Sequence, residues 1–277
     1  MTSRIRTCTV ALGLVAVSAA YSSAHFYGIN GTAQGGGVYQ IDTSTGVAQL
    51  AFPTLKHLGE TNGLAWDGGD WFYYIVGTNT LVAYDAVNVT TTVLGPLKGR
   101  VSSATFYNGA YYYYQDRSKS IWKQVVTGAT LGALSKKPVT NGGSYQFGDI
   151  AAASNGEWVG TPQGGLLIYG SNIDAPVETQ TALAGPAGAL TGLQSAFAAD
   201  GNFYGVRSDM LNGTIYSIDI ATATAVAGAA VSSPFGNLRI RDAAGAAPLG
   251  IVPVPEPASM TAMALGALAL LRRRRKA

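Results

Sequence analysis

Ala65-Trp66-Asp67-Gly68-Gly69-Asp70-Trp71-Phe72-Tyr73-Tyr74-Ile75 packs a short strand, an acidic turn and an aromatic strand into one stretch. Aromatic and β-branched side chains favour extended backbone, and Asp-Gly supplies the positive φ that a tight hairpin requires. The arrangement recurs. Phe106-Tyr107 precedes Asn108-Gly109 and Tyr111-Tyr112-Tyr113-Tyr114; Ile150-Ala151-Ala152 precedes Asn155-Gly156 and Glu157-Trp158-Val159-Gly160; Phe197-Ala198-Ala199 precedes Asp200-Gly201 and Phe203-Tyr204-Gly205-Val206. Phe26-Tyr27-Gly28-Ile29 has the aromatic strand without its leader.

Taking Phe26, Phe72, Tyr112, Trp158 and Phe203 as anchors, the steps are 46, 40, 46 and 45 residues. A third strand follows most clearly at Val38–Asp42, Leu81–Asp85 and Ile215–Asp219, and a fourth comes after a polar turn such as Thr43-Ser44-Thr45-Gly46. Four short strands at this period suit the blade of a β-propeller. The missing leader of the first unit is supplied by Asn237-Leu238-Arg239-Ile240-Arg241-Asp242, followed by Ala243-Ala244-Gly245. The expected fold is therefore all-β: a five-bladed propeller of four-stranded blades, closed by pairing the two ends of the body. Six blades or a β-sandwich are the alternatives, since Thr130 to Tyr145 has room for an unrecognised strand.

The ends read as targeting segments. Arg4 and Arg6 precede an apolar run from Thr7 to Ala20, and Ser22-Ser23-Ala24 places small residues at a signal-peptidase cleavage point. Cleavage is expected after Ala24, with Ala20 second. The only cysteine, Cys8, lies in the leader, so the mature chain has no thiol chemistry. Residues 1–24 are thus a signal peptide, 25–253 the propeller and 254–277 a sorting segment. Trimming changes the charge: 7 of the 18 basic residues belong to the targeting segments, and the body is near −3. This argues against nucleic-acid binding, which needs a concentrated basic face.

At the C-terminus, Val254-Pro255-Glu256-Pro257 leads into an apolar run from Ala258 to Leu271, then Arg272, Arg273, Arg274, Arg275 and Lys276. As a helix the run would cover roughly 21 Å, short against a bilayer core of about 30 Å. The basic end would stay cytoplasmic and leave the body outside. The order Pro-Glu-Pro, short hydrophobic helix and Arg-rich end resembles the PEP-CTERM sorting signals that exosortases recognise in Gram-negative bacteria. The resemblance implies cleavage near Pro255 to Pro257 after a transient stay in the inner membrane. Release to the cell surface or extracellular matrix follows, often alongside exopolysaccharide. Signal peptidase and exosortase are the implied partners. A plain tail anchor has no need of the Pro-Glu-Pro.

The catalytic inventory is thin. His25 and His57 are the only histidines, and there is no nucleophile elbow, zinc motif, phosphate loop or dinucleotide fingerprint, so no catalytic residue, cofactor or metal is expected. Asp67, Asp70, Asp200 and Asp242 fall in or beside hairpin turns, and Asp42, Asp85 and Asp219 end third strands, all places where a carboxylate bonds local backbone N–H groups. Alternation along Tyr111 to Tyr114 puts at most two rings on one side, which suits packing between blades better than a sugar platform.

Propeller geometry places a ligand site at the channel mouth, on loops carrying His57, Glu60, Arg100, Asp116, Arg117, Arg207 and Asp209. These could bind a sugar or an acidic ligand, and Glu60, Asp116 and Asp209 could supply a glycosidase pair. Two functions follow. The first is a non-catalytic surface or matrix module; the second is an extracellular carbohydrate-active or lactone-type hydrolase or lyase. A channel lined by Ala65, Ser103, Ala104, Ala151, Ala152, Ser195 and Ala196 favours the first. Two or three carboxylates with shifted pKa values in a deep pocket would favour the second.

Overall fold

Each aromatic strand of the repeat finds an antiparallel partner on either side. The computed structural model describes residues 24–31, 36–55, 60–115, 117–140, 147–185, 188–207 and 210–245. The first blade holds β1 (His25–Asn30), β2 (Gly37–Asp42) and β3 (Ala48–Pro53). The second holds β4 (Thr61–Trp66), β5 (Trp71–Val76), β6 (Thr80–Asp85) and β7 (Thr90–Pro96). The third holds β8 (Val101–Tyr107), β9 (Ala110–Gln115), β10 (Ser120–Thr127) and β11 (Thr130–Pro138). The fourth holds β12 (Phe147–Ala152), β13 (Trp158–Pro162), β14 (Leu166–Gly170) and β15 (Thr179–Ala182).

A small hairpin, β16 (Ala184–Gly185) and β17 (Gly188–Ala189), precedes the fifth blade. That blade holds β18 (Leu193–Phe197), β19 (Phe203–Arg207), β20 (Thr214–Asp219) and β21 (Thr224–Ala230). The hairpin pairs with β21 and covers the outer edge of the blade. Finally β22 (Ile240–Ala244) returns to pair with β1, giving the sheet β22-β1-β2-β3 and closing the ring. The five-bladed, end-to-end-closed propeller is thus the observed architecture. The stretch after Thr130 supplies β11, the fourth strand of blade 3, so it adds no sixth blade.

Apolar packing explains the closure. Five buried clusters fill the five gaps between neighbouring blades, including the gap between the last blade and the first. Alternation along β9 sends Tyr111 and Tyr113 toward blade 2 and Tyr112 and Tyr114 toward blade 4, and all four are buried. At about 1.5–3 kcal/mol for a fully buried large side chain, these rings are a main source of cohesion between blades.

The turns follow local chemistry. Asp67 Oδ1 accepts N–H bonds from Gly69 and Trp71, Asp85 Oδ1 from Val87 and Asn88, and Asp42 Oδ1 from Ser44 and Thr45. Asn108 and Gly109 sit at φ +44° and +72°, the left-handed values that a two-residue hairpin demands.

The innermost strands β4, β8, β12, β18 and β22 stand side by side around the axis. All five begin on one face, here the upper, and end on the other, the lower. Pairing is interrupted by bulges at Asn62/Ala65, Val101/Ser103, Phe147/Ile150 and on the β1–β22 pair. Such irregularities re-aim side chains locally.

Candidate functional site

Two carboxyls meet at the centre of the ring. Asp149 lies in the β12 bulge and Asp242 in β22, both with no exposed surface, and their side chains hydrogen-bond to one another. Asp149 Oδ2 accepts N–H bonds from Ser195 (3.1 Å) and Ala243 (2.9 Å), and its Oδ1 accepts one from Ile150 (2.7 Å). Asp242 Oδ1 accepts from Ala243 (2.8 Å), and Oδ2 accepts from Gly63 (2.8 Å). The Gly63 carbonyl in turn accepts the Tyr111 hydroxyl at 2.5 Å. Thr161 and Ser195 share a hydroxyl contact of 2.8 Å, and Thr161 Oγ1 also donates to the Leu193 carbonyl. The network therefore ties all five blades together at the axis.

Glycines make the approach possible. Gly63 has φ +58°, and a Cβ there would meet the Tyr111 hydroxyl at 2.5 Å. A Cβ on Gly148 would lie 2.1 Å from the Leu193 and Thr161 carbonyl oxygens. A side chain at either position would push the inner strands apart.

Burial pushes both carboxyls above the ordinary carboxylate range, and Asp242 rises further because it also faces Asp149. Asp149 receives backbone N–H groups from three blades and is the better-stabilised anion, so Asp242 keeps the proton and donates it. Tyr111 is also raised, first by burial and then by both aspartates, and stays a neutral donor. Chemically the unit is a closed, proton-sharing lock.

Among the described residues the oxygens of this pair are taken up by backbone N–H groups and by each other. The lower end of the channel is a cavity of about 20 Å³, space for about one water, walled largely by Ala65, Ala104, Ala151, Ala152, Ala196 and Ala243. Asp242 thus departs from the turn role expected for it: pairing with β1 puts it inside a strand at the axis. Asp149 carries no turn or catalytic motif and escaped sequence reasoning. Its available signal was a carboxylate directly before the predicted inner strand Ile150-Ala151-Ala152, where a polar residue needs an explanation.

The expected upper rim is only partly assembled. Glu60 and Arg241 approach to 3.8 Å, the first exposed and the second half-buried, a pair of small energetic weight. Arg100 and Arg117 are exposed on neighbouring loops of blade 3, whereas Arg207 is half-buried at the end of β19 on another blade. His57, Asp116 and Asp209 lie outside the described residues, as do Val254, Pro255, Glu256, Pro257 and Arg272, Arg273, Arg274 and Arg275. Ala24 is half-buried, and its carbonyl accepts the N–H and hydroxyl of Thr43. A wider hollow of about 440 Å³ opens on the lower face instead, between Trp66, Asp67, Phe106, Tyr107, Asn108 and Ser154.

Residues 253–276 match the PEP-CTERM protein-sorting motif family. The chain carries a PEP-CTERM sorting signal. The signal marks an exported exosortase substrate, bound for the cell surface or the medium. Among the described residues no helix is long and apolar enough to cross a membrane; the Ala258–Leu271 run lies outside them. No curated protein matches the chain significantly.

Solved structures of similar shape have low identity. One is a protein from a study of the de novo evolutionary emergence of a symmetrical protein, 12% identical, with a TM-score of 0.48 over 70% of this chain and 85% of that one. Another is the glutaminyl cyclase of Myxococcus xanthus, 15% identical, with a TM-score of 0.44 over 65% and 80%. A third is an auxiliary nutrient binding protein from Bacteroides thetaiotaomicron, 11% identical, with a TM-score of 0.46 over 70% and 51%.

Proposed function

We propose that this PEP-CTERM protein is a non-catalytic propeller that serves as a binding or structural module on the cell surface or in the extracellular matrix, in contact with exopolysaccharide. In this reading signal peptidase removes residues 1–24, the 254–277 segment holds the precursor in the inner membrane, and exosortase cuts near Pro255 to Pro257. The observation that carries the non-catalytic part is the buried, backbone-bonded carboxylate pair at the axis. The carboxylate pair at the axis, Asp149 and Asp242, is fully buried and spends its oxygens on backbone N–H groups. A hydrolase or lyase would need one carboxylate open to a substrate.

Intact mass of the protein from the surface and medium of producing cells tests the reading. A species starting at His25 and ending near Pro255 to Pro257 is expected. A full-length C-terminus confined to membranes would refute exosortase processing. Deleting Pro255 to Ala277 should change location while leaving the thermal melt of the propeller unaltered.

A further inference from the structure

Strand direction sorts the charges of this protein onto opposite faces. Turns leaving the inner strands on the lower face carry Asp67, Asp70, Glu157 and Asp200, and those leaving the third strands on the same face carry Asp42, Asp85 and Asp219. Those turns contain no Lys or Arg. The basic residues gather at the other end, and seven of the ten described Lys and Arg side chains belong to blade 3 and the loop leading into it.

Within that group, Lys123 and Lys137 are paired with Asp174, and Lys136 lies over the Trp122 ring. Lys98, Arg100, Arg117 and Lys119 are exposed on two upper-face loops that touch. The Lys98 N–H and carbonyl both bond the Tyr113 hydroxyl, Gly99 packs against the Gln115 side chain, and Ser118 N–H bonds the Gln115 carbonyl. Asp116, outside the described residues, belongs by sequence to the second loop, yet basic residues outnumber acidic ones there with it included.

We propose that Lys98, Arg100, Arg117 and Lys119 form a binding patch for an acidic polysaccharide, one bearing carboxylate groups along its chain. The proposal rests on the module reading above and names its ligand class and its site. Four cations on adjoining loops match a series of carboxylates, and the guanidinium group of Arg100 suits bidentate capture. Nucleic acid fits less well. The tyrosine rings of β9 are buried and offer no stacking platform to a single strand.

β1 begins and β22 ends on the lower face, opposite the patch.

The test uses the full chain as recovered from producing cells, with polygalacturonate, neutral dextran and duplex DNA as probes. Polygalacturonate should bind, dextran should not, and affinity should fall steeply between about 50 and 200 mM salt. The variant Lys98→Glu/Arg100→Glu/Arg117→Glu/Lys119→Glu should lose roughly tenfold or more. The milder Arg100→Gln/Lys119→Gln, at two exposed positions, should lose several-fold with an unchanged melt, which separates lost binding from lost folding. Absent polygalacturonate binding, equal binding by both variants, equal dextran binding, or tighter DNA binding would each overturn the patch. A correctly processed surface protein that ignores polygalacturonate sinks the patch alone. A polygalacturonate binder that stays full length sinks the sorting reading alone.

Discussion

Raising the pH from 5 to 8 should destabilise this propeller, because the Asp149–Asp242 pair holds a proton that the unfolded chain has released. Both folded-state values are raised, mainly by burial, above the ordinary value of 3.8. Between the unfolded and folded values the native state binds more protons, so the stability this pair supplies is fullest below about pH 4 and is lost as pH rises. One proton of difference lowers the folding constant roughly tenfold per pH unit. Over three units that is at most about 4 kcal/mol, a large share of the 5–15 kcal/mol typical of a domain. Asp85 and Asp174 have lowered values, so their contribution has the opposite sign and is lost only in acid, below about pH 4.

The assay is urea unfolding at unit pH steps, in wild type and in Asp242→Asn. The amide has no proton to lose, but its single oxygen can accept from Gly63 or from Ala243 and not from both, so a lower overall stability is expected beside the changed pH profile. Wild type should weaken steadily from pH 5 to 8, and the variant, which keeps the buried Asp149, should show a shallower profile there. Stability that is level or rising in wild type, or a slope undiminished in Asp242→Asn, would refute the shared-proton lock.

Gly63→Ala should cost at least about 2 kcal/mol in the same assay, since it combines a left-handed backbone with a collision at the Tyr111 hydroxyl. Tyr111→Phe should cost about 1–3 kcal/mol by leaving the buried Gly63 carbonyl without its donor, with the apolar packing of the ring retained. Asp85→Ala removes the acceptor for Val87 and Asn88 N–H and should lower the melting temperature without touching the channel. Thermal or urea melts check each one.

The blade pattern was legible in the sequence because its causes are local. Asp67 and Asp85 bond N–H groups two to four residues on, Asn108-Gly109 sets its own positive φ, and the alternation of Tyr111 to Tyr114 follows from the pleat. The sorting signal was legible for the same reason, being read as a contiguous string. Asp149 and Asp242 were not. They are separated by 93 residues, and neither has a local partner set that distinguishes it from a turn carboxylate. Only ring closure brings blade 4 and blade 1 face to face across the axis, in a medium dry enough for two carboxyls to share one proton. The basic edge of blade 3 has the same origin: a body of net negative charge acquires a positive face because strand direction, a tertiary property, decides which turns point which way.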